Sequence, residues 1–359
     1  MQISEKGKAA VVLGGQWGSE AKGAVIGWLA QNKDNVFGLA TTNAGAQAGH
    51  TAYRLDGEKV VCFHLPTTSV INNTPAYLNA GAIIDPEVLV QEIKNTRFEG
   101  RLYVHPHAAV IRPIHKQREG DSRSGPTKIA STQKGVGAAL ADKILRNSDL
   151  AFTNTDIGGM ADDVFSRMVL NDHLEDDQSI IVEVPQGFDL SINHGYMYPH
   201  TTSRDCWVGS GLSDAGIHPK FLGKVVMVVR TYPIRVGNIV VDGNTLGHSG
   251  PNYPDQDEIT FESLGQGIEY TTVTKRPRRI FTFSATQYAN ALRYNRPTHV
   301  VLTFCNYCQG PGAYDEIRSK MRTVENQSQI FPQHWMQYGV APDDFTDSET
   351  TLMHKMEWN

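Results

Sequence analysis

Residues 14–23 read GGQWGSEAKG and follow directly on the apolar run Ala9–Leu13, AAVVL. A buried strand that ends in glycines and runs into a helix starting near Lys22 builds a phosphate cradle. The glycines let backbone N–H groups approach an anion, the helix N-terminus points its positive end inward, and Lys22 adds a full charge. This is not the common G-x-x-x-x-G-K-[ST] loop, which would need Gly at Gln16 and Ala21 and a hydroxyl residue at Gly23. What stands here instead is a loop with a buried-type Trp17 and a polar pair, Ser19 and Glu20. The bland alternative is a glycine-rich turn that binds nothing; the order strand, turn, lysine, helix weighs against it.

Composition narrows the function classes. A chain of 359 residues can bury a large core and hold one to three domains. Its formal net charge of −5 opposes a general nucleic-acid binder. No apolar run approaches the roughly 20 residues that span a bilayer, and MQISEKGKAA at the N-terminus lacks the apolar segment of a secretory signal. The expected location is the cytoplasm. Cys62, Cys206, Cys305 and Cys308 are too scattered for a disulfide framework. Cys305 and Cys308 form a C-x-x-C after the apolar VVLTF, and two small residues at a strand end fit better than a redox pair or half a zinc site.

Short apolar runs alternate with helical stretches. Strands are expected at Ala9–Leu13, Val36–Thr41, Ala82–Ile84, Leu102–Val104, Ile180–Val184, Val225–Val229 and Val300–Phe304. Helices are expected at Lys22–Asn32, Pro86–Asn95, Val136–Arg146, Ala161–Leu170 and Ala285–Tyr294. Near-continuous Val/Ile runs point to strands buried on both faces, hence an α/β fold with a large, mostly parallel sheet flanked by helices. No repeat or linker divides the chain, so residues 1–359 read as a single domain. Asp242–Asp257, rich in Gly, Pro and Asn, reads as a long surface loop, and the tail from Asp343 as surface. In open α/β sheets ligands sit beyond the C-terminal strand ends. Three more polar, glycine-rich loops follow such ends: TNAGAQAGHT, PQGFDLSINHG and CNYCQGPG.

Here the chain resembles the adenylosuccinate synthetase family. The family's first loop, G-x-Q-W-G-D-E-G-K-G, is matched by GGQWGSEAKG, and its N-A-G-H-T by QAGHT, Gln47–Thr51. T-T-x-R-G-I-G-P-A-Y-E-D-K corresponds to STQKGVGAALADK, Ser131–Lys143, followed by Arg146. E-G-A-Q-G with D-H-G corresponds to Glu183–Gly187 with Asn193–Gly195, and T-T-G-R-P-R-R to VTKRPRR, Val273–Arg279. The resemblance implies a two-step ligation. A nucleoside triphosphate phosphorylates the 6-oxygen of a 6-oxopurine nucleotide, turning a hopeless leaving group into a good one. The amine of L-aspartate then displaces that phosphate.

The same resemblance distributes roles. His50 maps onto phosphoryl transfer, Lys22 and the loop N–H groups onto charge stabilisation with Mg²⁺, and Gln186 onto the glutamine that holds the purine 6-oxygen. With Ser19, Gln47, Ala48 and Arg276, the residues Ser131, Thr132, Thr201 and Arg146 resemble contacts to the monophosphate, Arg146 reaching across the interface of a homodimer. Thr272, Val273, Thr274, Arg276 and Arg278 resemble the aspartate clamp, where guanidinium forks suit carboxylates. The triphosphate would meet Gln16, Trp17, Gly18, Glu20, Ala21, Lys22 and Gly23 of the first loop, then Gly49, His50 and Thr51. Arg278, Phe304, Asn306 and Ala341 complete its site. Mg²⁺ would sit at Ser19 and Gly49.

Two departures change the substrate expectation. The family's loop aspartate, which receives the N1–H of hypoxanthine, is Ser19 here. A serine is smaller and neutral, and opens room for the 2-amino group of guanine, at the loss of a base and a metal ligand. The family's T-K-L-D, whose Asp reads guanine in GTP, is Thr303-Phe304-Cys305-Asn306. Asn offers one donor and one acceptor, which suits adenine. Together these resemble the bacteriophage branch of the family, acting on dGMP, aspartate and ATP or dATP in the host-cell cytoplasm. The alternatives are an ordinary adenylosuccinate synthetase using IMP and GTP, and a non-catalytic nucleotide-binding protein.

Overall fold

The protein is described by a computed structural model that covers residues 1–356 apart from 122, 148–149, 162–169, 272–273 and 340. Its centre is a nine-stranded sheet. In chain order the strands are β1 (Ala9–Gly14), β2 (Leu39–Thr42), β3 (Ala76–Leu78), β4 (Leu102–Val104), β5 (Ile180–Gly187), β6 (Leu222–Arg230), β7 (His299–Thr303), β8 (Gln333–Gln337) and β9 (Phe345–Thr346). Across the sheet they run β9-β8-β7-β6-β1-β5-β2-β3-β4, all parallel except β9.

The residues of β1 show why the sheet is buried on both faces. Side chains alternate along a strand, so Ala9, Val11 and Leu13 enter one core with Val182, Val184, Met227 and Leu212. Ala10 and Val12 enter a second core with Val25, Ile26 and Leu29 of the helix Lys22–Gln31. A fully apolar strand is therefore required at the centre of the sheet. The helices Pro86–Thr96, Val136–Ile144 and Ala285–Asn295 lie where the sequence placed them, within two residues at each end.

Other expectations are corrected. The second strand starts at Leu39, not Val36, whose side chain is 73% exposed. Ile83–Ile84 pairs with Ala109–Val110 outside the main sheet; the place beside β2 is taken by β3. The proposed helix Ala161–Leu170 falls largely outside the described residues, and a helix spans Leu170–Glu175. Asp242–Asp257 is no free surface loop. Asn244–Gly247 pairs with Ile239–Val241 as a hairpin, and Tyr253, 1% exposed, packs behind Trp17. Its hydroxyl donates to Asp189 at 2.9 Å, and Gln287 Nε2 donates to the other oxygen at 2.6 Å. The tail is also structural: Phe345 stacks on Trp28 with centroids 4.4 Å apart, and Leu352 is fully buried. A long helix at Pro311–Ser328 went unforeseen.

Candidate active site

Because eight strands run in one direction, the C-terminal ends of β1, β2, β5, β6 and β7 open on a single edge of the sheet. The first loop is anchored there by its own polar side chains. Gln16 is spent on the backbone of Arg230 at the end of β6, donating to its carbonyl at 3.0 Å and accepting from its N–H at 2.8 Å. The buried Glu20 carboxylate accepts from the N–H groups of Gln16 and Gly18 at 3.1 and 2.7 Å, and from Lys22 Nζ at 2.9 Å. Any Cβ at Gly14 would lie 2.5 Å from a Glu20 carboxylate oxygen and 2.9 Å from the Gln186 carbonyl, so glycine is obligatory there. Ala21, where the family loop has glycine, still adopts the left-handed conformation, with φ +60°.

Two hollows open on this loop. The first is lined by Trp17, Gln47, Ala48, Ser131, Thr132, Gln186, His200, Thr201, Thr202 and Ser249, among others. The second, of about 520 Å³, is lined by Ala21, Lys22, Gly23, Thr51, Tyr53, Lys59, Arg230, Glu269, Tyr270, Phe304, Asn306 and Tyr307, among others. They share one wall: Gly18, Ser19, Gly49, His50 and Arg278 line both. Two molecules placed on either side of that wall meet at the residues assigned to phosphoryl transfer.

The wall is electrically organised. Arg278 donates to the Ser19 hydroxyl oxygen, while its Nε lies 4.0 Å from Glu269. Glu269 is bound by Arg230 and by the Tyr307 hydroxyl at 2.7 Å. Burial opposes its charge, yet Arg230 beside it holds the carboxyl below its usual range, so it is ionised. Arg230, 1% exposed, lies 3.5 Å over the Phe304 ring and reaches the Ser19 carbonyl at 3.4 Å. Burial, with Lys22 close by, pushes the imidazole of His50 down to about 3. At neutral pH it is uncharged, offering one N–H and one lone pair. Both amide atoms of Gln47 are buried at the first hollow with no partner among the described residues. A buried amide left unpaired in this way costs stability, which a ligand in that hollow would relieve.

A profile for adenylosuccinate synthetase matches residues 11–156 and 150–318. The chain belongs to that family. It is 38% identical over 342 residues, covering 89% of each chain, to an N6-succino-2-amino-2′-deoxyadenylate synthase of Salmonella phage PMBT28. It is 32% identical over 321 residues, 86% of this chain and 89% of the other, to an adenylosuccinate synthetase of Methanococcus maripaludis. Among solved structures, the succinoaminodeoxyadenylate synthetase of cyanophage S-2L, bound to dGMP and dATP, superposes with a TM-score of 0.85. That match has 30% identity over 98% of this chain and 99% of the other. An adenylosuccinate synthetase of Plasmodium falciparum, at 20% identity, covers 94% of this chain and 98% of the other with a TM-score of 0.77, a likeness in fold.

As a member of the adenylosuccinate synthetase family, the chain gathers most of the expected site residues around the two hollows. Six described ones line neither: Gln16 and Glu20, buried and spent on holding the first loop, and Arg276, Thr274, Ala341 and Arg146. Arg276 bonds the carbonyls of Ala130 and Ser131 at 3.0 and 2.8 Å and the hydroxyl of Thr274 at 3.1 Å, and neither Arg276 nor Thr274 lines a hollow. Ala341 is exposed beyond the second hollow, whose lining reaches Gln337 and Gly339. Arg146 lies past the C-terminus of the helix Val136–Ile144, exposed, with φ +63°. Thr272 and Val273 lie outside the described residues. Sequence reasoning passed over His200, Arg230, Lys59 and Glu269. Of these only Glu269 carried a signal, standing four residues before the Val273–Arg279 motif.

Proposed function

We propose that this chain joins L-aspartate to C6 of dGMP at the expense of ATP or dATP, giving N6-succinyl-2-amino-2′-deoxyadenylate through a 6-phosphoryl intermediate. The observation that carries the reading is Ser19. It stands on the shared wall where the family loop has a carboxylate, and no Asp or Glu lines the first hollow among the described residues. A guanine there meets a small hydroxyl beside its N1 and 2-amino edge instead of a bulkier anion. The phage relatives and the dGMP-bound neighbour support the same substrate.

On this reading dGMP fills the first hollow with its 6-oxygen toward Gln186 and the wall, and the triphosphate fills the second. The loop N–H groups, Lys22 and Arg278 stabilise the charge that develops on the transferring group. Neutral His50 supports that group by hydrogen bonding. Arg278 then faces a carboxylate of aspartate, with Thr274 and Arg276 beside it. Mg²⁺ usually keeps waters and phosphate oxygens as ligands; Ser19 and Gly49 would hold it, Arg278 giving up the Ser19 oxygen for a carboxylate of aspartate, and its charge would offset that of the phosphates. Asn306, exposed in the second hollow, would read adenine. Arg146 would complete the site of a second copy; the neighbouring Ile144 and Leu145, 71% and 67% exposed, supply an apolar surface for such a homodimer. Among the described residues no helix is long and apolar enough to cross a membrane, in keeping with action in the cytoplasm of an infected cell.

The test is a paired assay: protein, aspartate, ATP and Mg²⁺ with either dGMP or IMP, read by mass spectrometry. The succinylated dGMP product is expected. Turnover of IMP alone would sink the assignment in favour of an ordinary adenylosuccinate synthetase, and binding without phosphate release would indicate a non-catalytic protein.

A further inference from the structure

The first hollow has an asymmetry of charge. Only three ionisable side chains line it among the described residues: His50, Arg278 and His200. His50 and Arg278 belong to the wall shared with the second hollow; His200 does not. A monophosphate nucleotide that presents its base oxygen to that wall must carry its 5′-phosphate at the opposite end. Away from the shared wall the first hollow offers the hydroxyls of Ser131, Thr132, Thr201 and Thr202, which line it and not the second hollow and which donate but bring no charge.

His200 is placed for an anion. Its Nδ1 is buried with no hydrogen-bond partner among the described residues, and the ring's one polar neighbour is the His248 backbone. The cations around it are committed elsewhere. Arg235, from the strand Ile234–Arg235, donates to the carbonyls of Ser249 and His200 at 2.8 and 3.1 Å and lies 4.7 Å over the Trp17 ring. Arg279 pairs with Glu258 at 2.6 Å and donates to the Ser249 hydroxyl and the Gly250 carbonyl at 3.0 and 2.7 Å. The His248 ring stands edge-on to His200 at 6.1 Å. Neither arginine lines the hollow, so they set a positive field without occupying the phosphate position.

We propose that His200 contacts the 5′-phosphate of the monophosphate substrate and takes up a proton as that dianion arrives. The inference rests on the reading of the first hollow as the monophosphate site. The ligand-free state is prepared for the change. Burial first, then Arg235, and also Arg279, lower the His200 pKa, against a smaller raising effect from the His248 backbone. His248 is lowered as well, by burial and by Arg279, so neither ring is charged in the free enzyme above neutral pH. A phosphate dianion against the ring reverses the balance and favours the imidazolium. The pKa therefore rises on binding: protons are taken up at pH values between the free and bound pKa, and affinity falls as pH rises through the bound one.

The experiment is titration calorimetry of the full chain with dGMP at pH 7.5 in two buffers of different ionisation heat, for wild type, His200→Asn and His200→Gln, with steady-state kinetics on each. The phosphate monoester itself titrates near pH 6, so the readout is the difference between wild type and variant. The expected result is proton uptake in wild type that the variants lose. The KM for dGMP should rise about tenfold or more with kcat within about threefold, because the contact is remote from the reacting oxygen. Wild-type KM should also climb more steeply between pH 6.5 and 8.5 than that of either variant. Equal proton uptake, or KM within twofold in a variant that melts like wild type, overturns the proposal. So does a lowered melting temperature with unchanged kinetics, which marks His200 as structural. If wild type accepts IMP but not dGMP, the same measurements with IMP, whose 5′-phosphate is identical, still judge His200, and only the choice of base falls.

Discussion

The two hollows use opposite physics. Apart from the shared wall with Arg278 and His50, the first is lined by amides, hydroxyls, backbone, His200 and apolar side chains, with no carboxylate among the described residues; the second gathers Lys22, Lys59 and Arg230 with Tyr53, Tyr270, Phe304 and Tyr307 around a single carboxylate, Glu269. A hydrogen-bonding hollow without a carboxylate discriminates by leaving the wrong base with unpaired groups, a penalty of about 1–3 kcal/mol per group. A cationic, aromatic hollow gains affinity from phosphate charge and ring stacking, which are less selective for the base. On the proposed reading, substrate identity would be set in the first hollow and driving force in the second, with the shared wall converting one into the other.

The strongest way to break that division is at the wall itself. His50→Ala should lower turnover about 10²-fold or more while leaving the fold and both KM values close to wild type, since phosphoryl transfer loses a positioned partner. Near-normal rates would remove His50 from the chemistry. Next, Ser19→Asp puts an anion into a hollow that has none among the described residues. The carboxylate should pair with Arg278, crowd the 2-amino group and accept N1–H from hypoxanthine. The ratio of kcat/KM for dGMP to that for IMP or dIMP should fall roughly 10- to 100-fold. An unchanged ratio would move base selection to Gln47. In the second hollow, Asn306→Asp should shift preference from ATP toward GTP by a smaller factor, because stacking and phosphate contacts persist; competition between the two triphosphates measures it. Smallest is Ala21→Gly. It relieves a left-handed alanine that costs about 1 kcal/mol, so the melting temperature should rise by about 2 °C with kinetics unchanged. A loss of stability would show that the loop tolerates Ala21 without strain.

How much of this was legible follows the range of the forces involved. The strand–loop–helix at Ala9–Gln31 is written locally: an apolar run, glycines and a lysine in fixed order. The strands β1, β5, β6 and β7 were equally plain because burial on both faces forces continuous Val/Ile text. The edges were not. β8 reads QHWMQ, with only Met336 and Gln337 buried, and helix Pro311–Ser328 hides its buried Tyr314, Ile317, Met321 and Val324 among charged residues. Tyr253 sits in Gly- and Pro-rich text yet is buried, because its partners Trp17 and Asp189 lie 236 and 64 positions away, 253 − 17 and 253 − 189. Motif reading found the wall, whose members stand in compact signatures. It missed His200 and Arg230, ordinary residues whose meaning comes only from what the fold sets opposite them.

The ion pair inside the first loop has a thermodynamic consequence. Glu20 already occupies the N–H groups of Gln16 and Gly18 and neutralises Lys22. The ligand-free loop is a closed electrostatic circuit with no buried cation left unpaired. An arriving polyphosphate therefore exchanges hydrogen bonds with a tethered carboxylate rather than creating them anew. Small anions, carrying less charge and holding no base, gain little from that exchange.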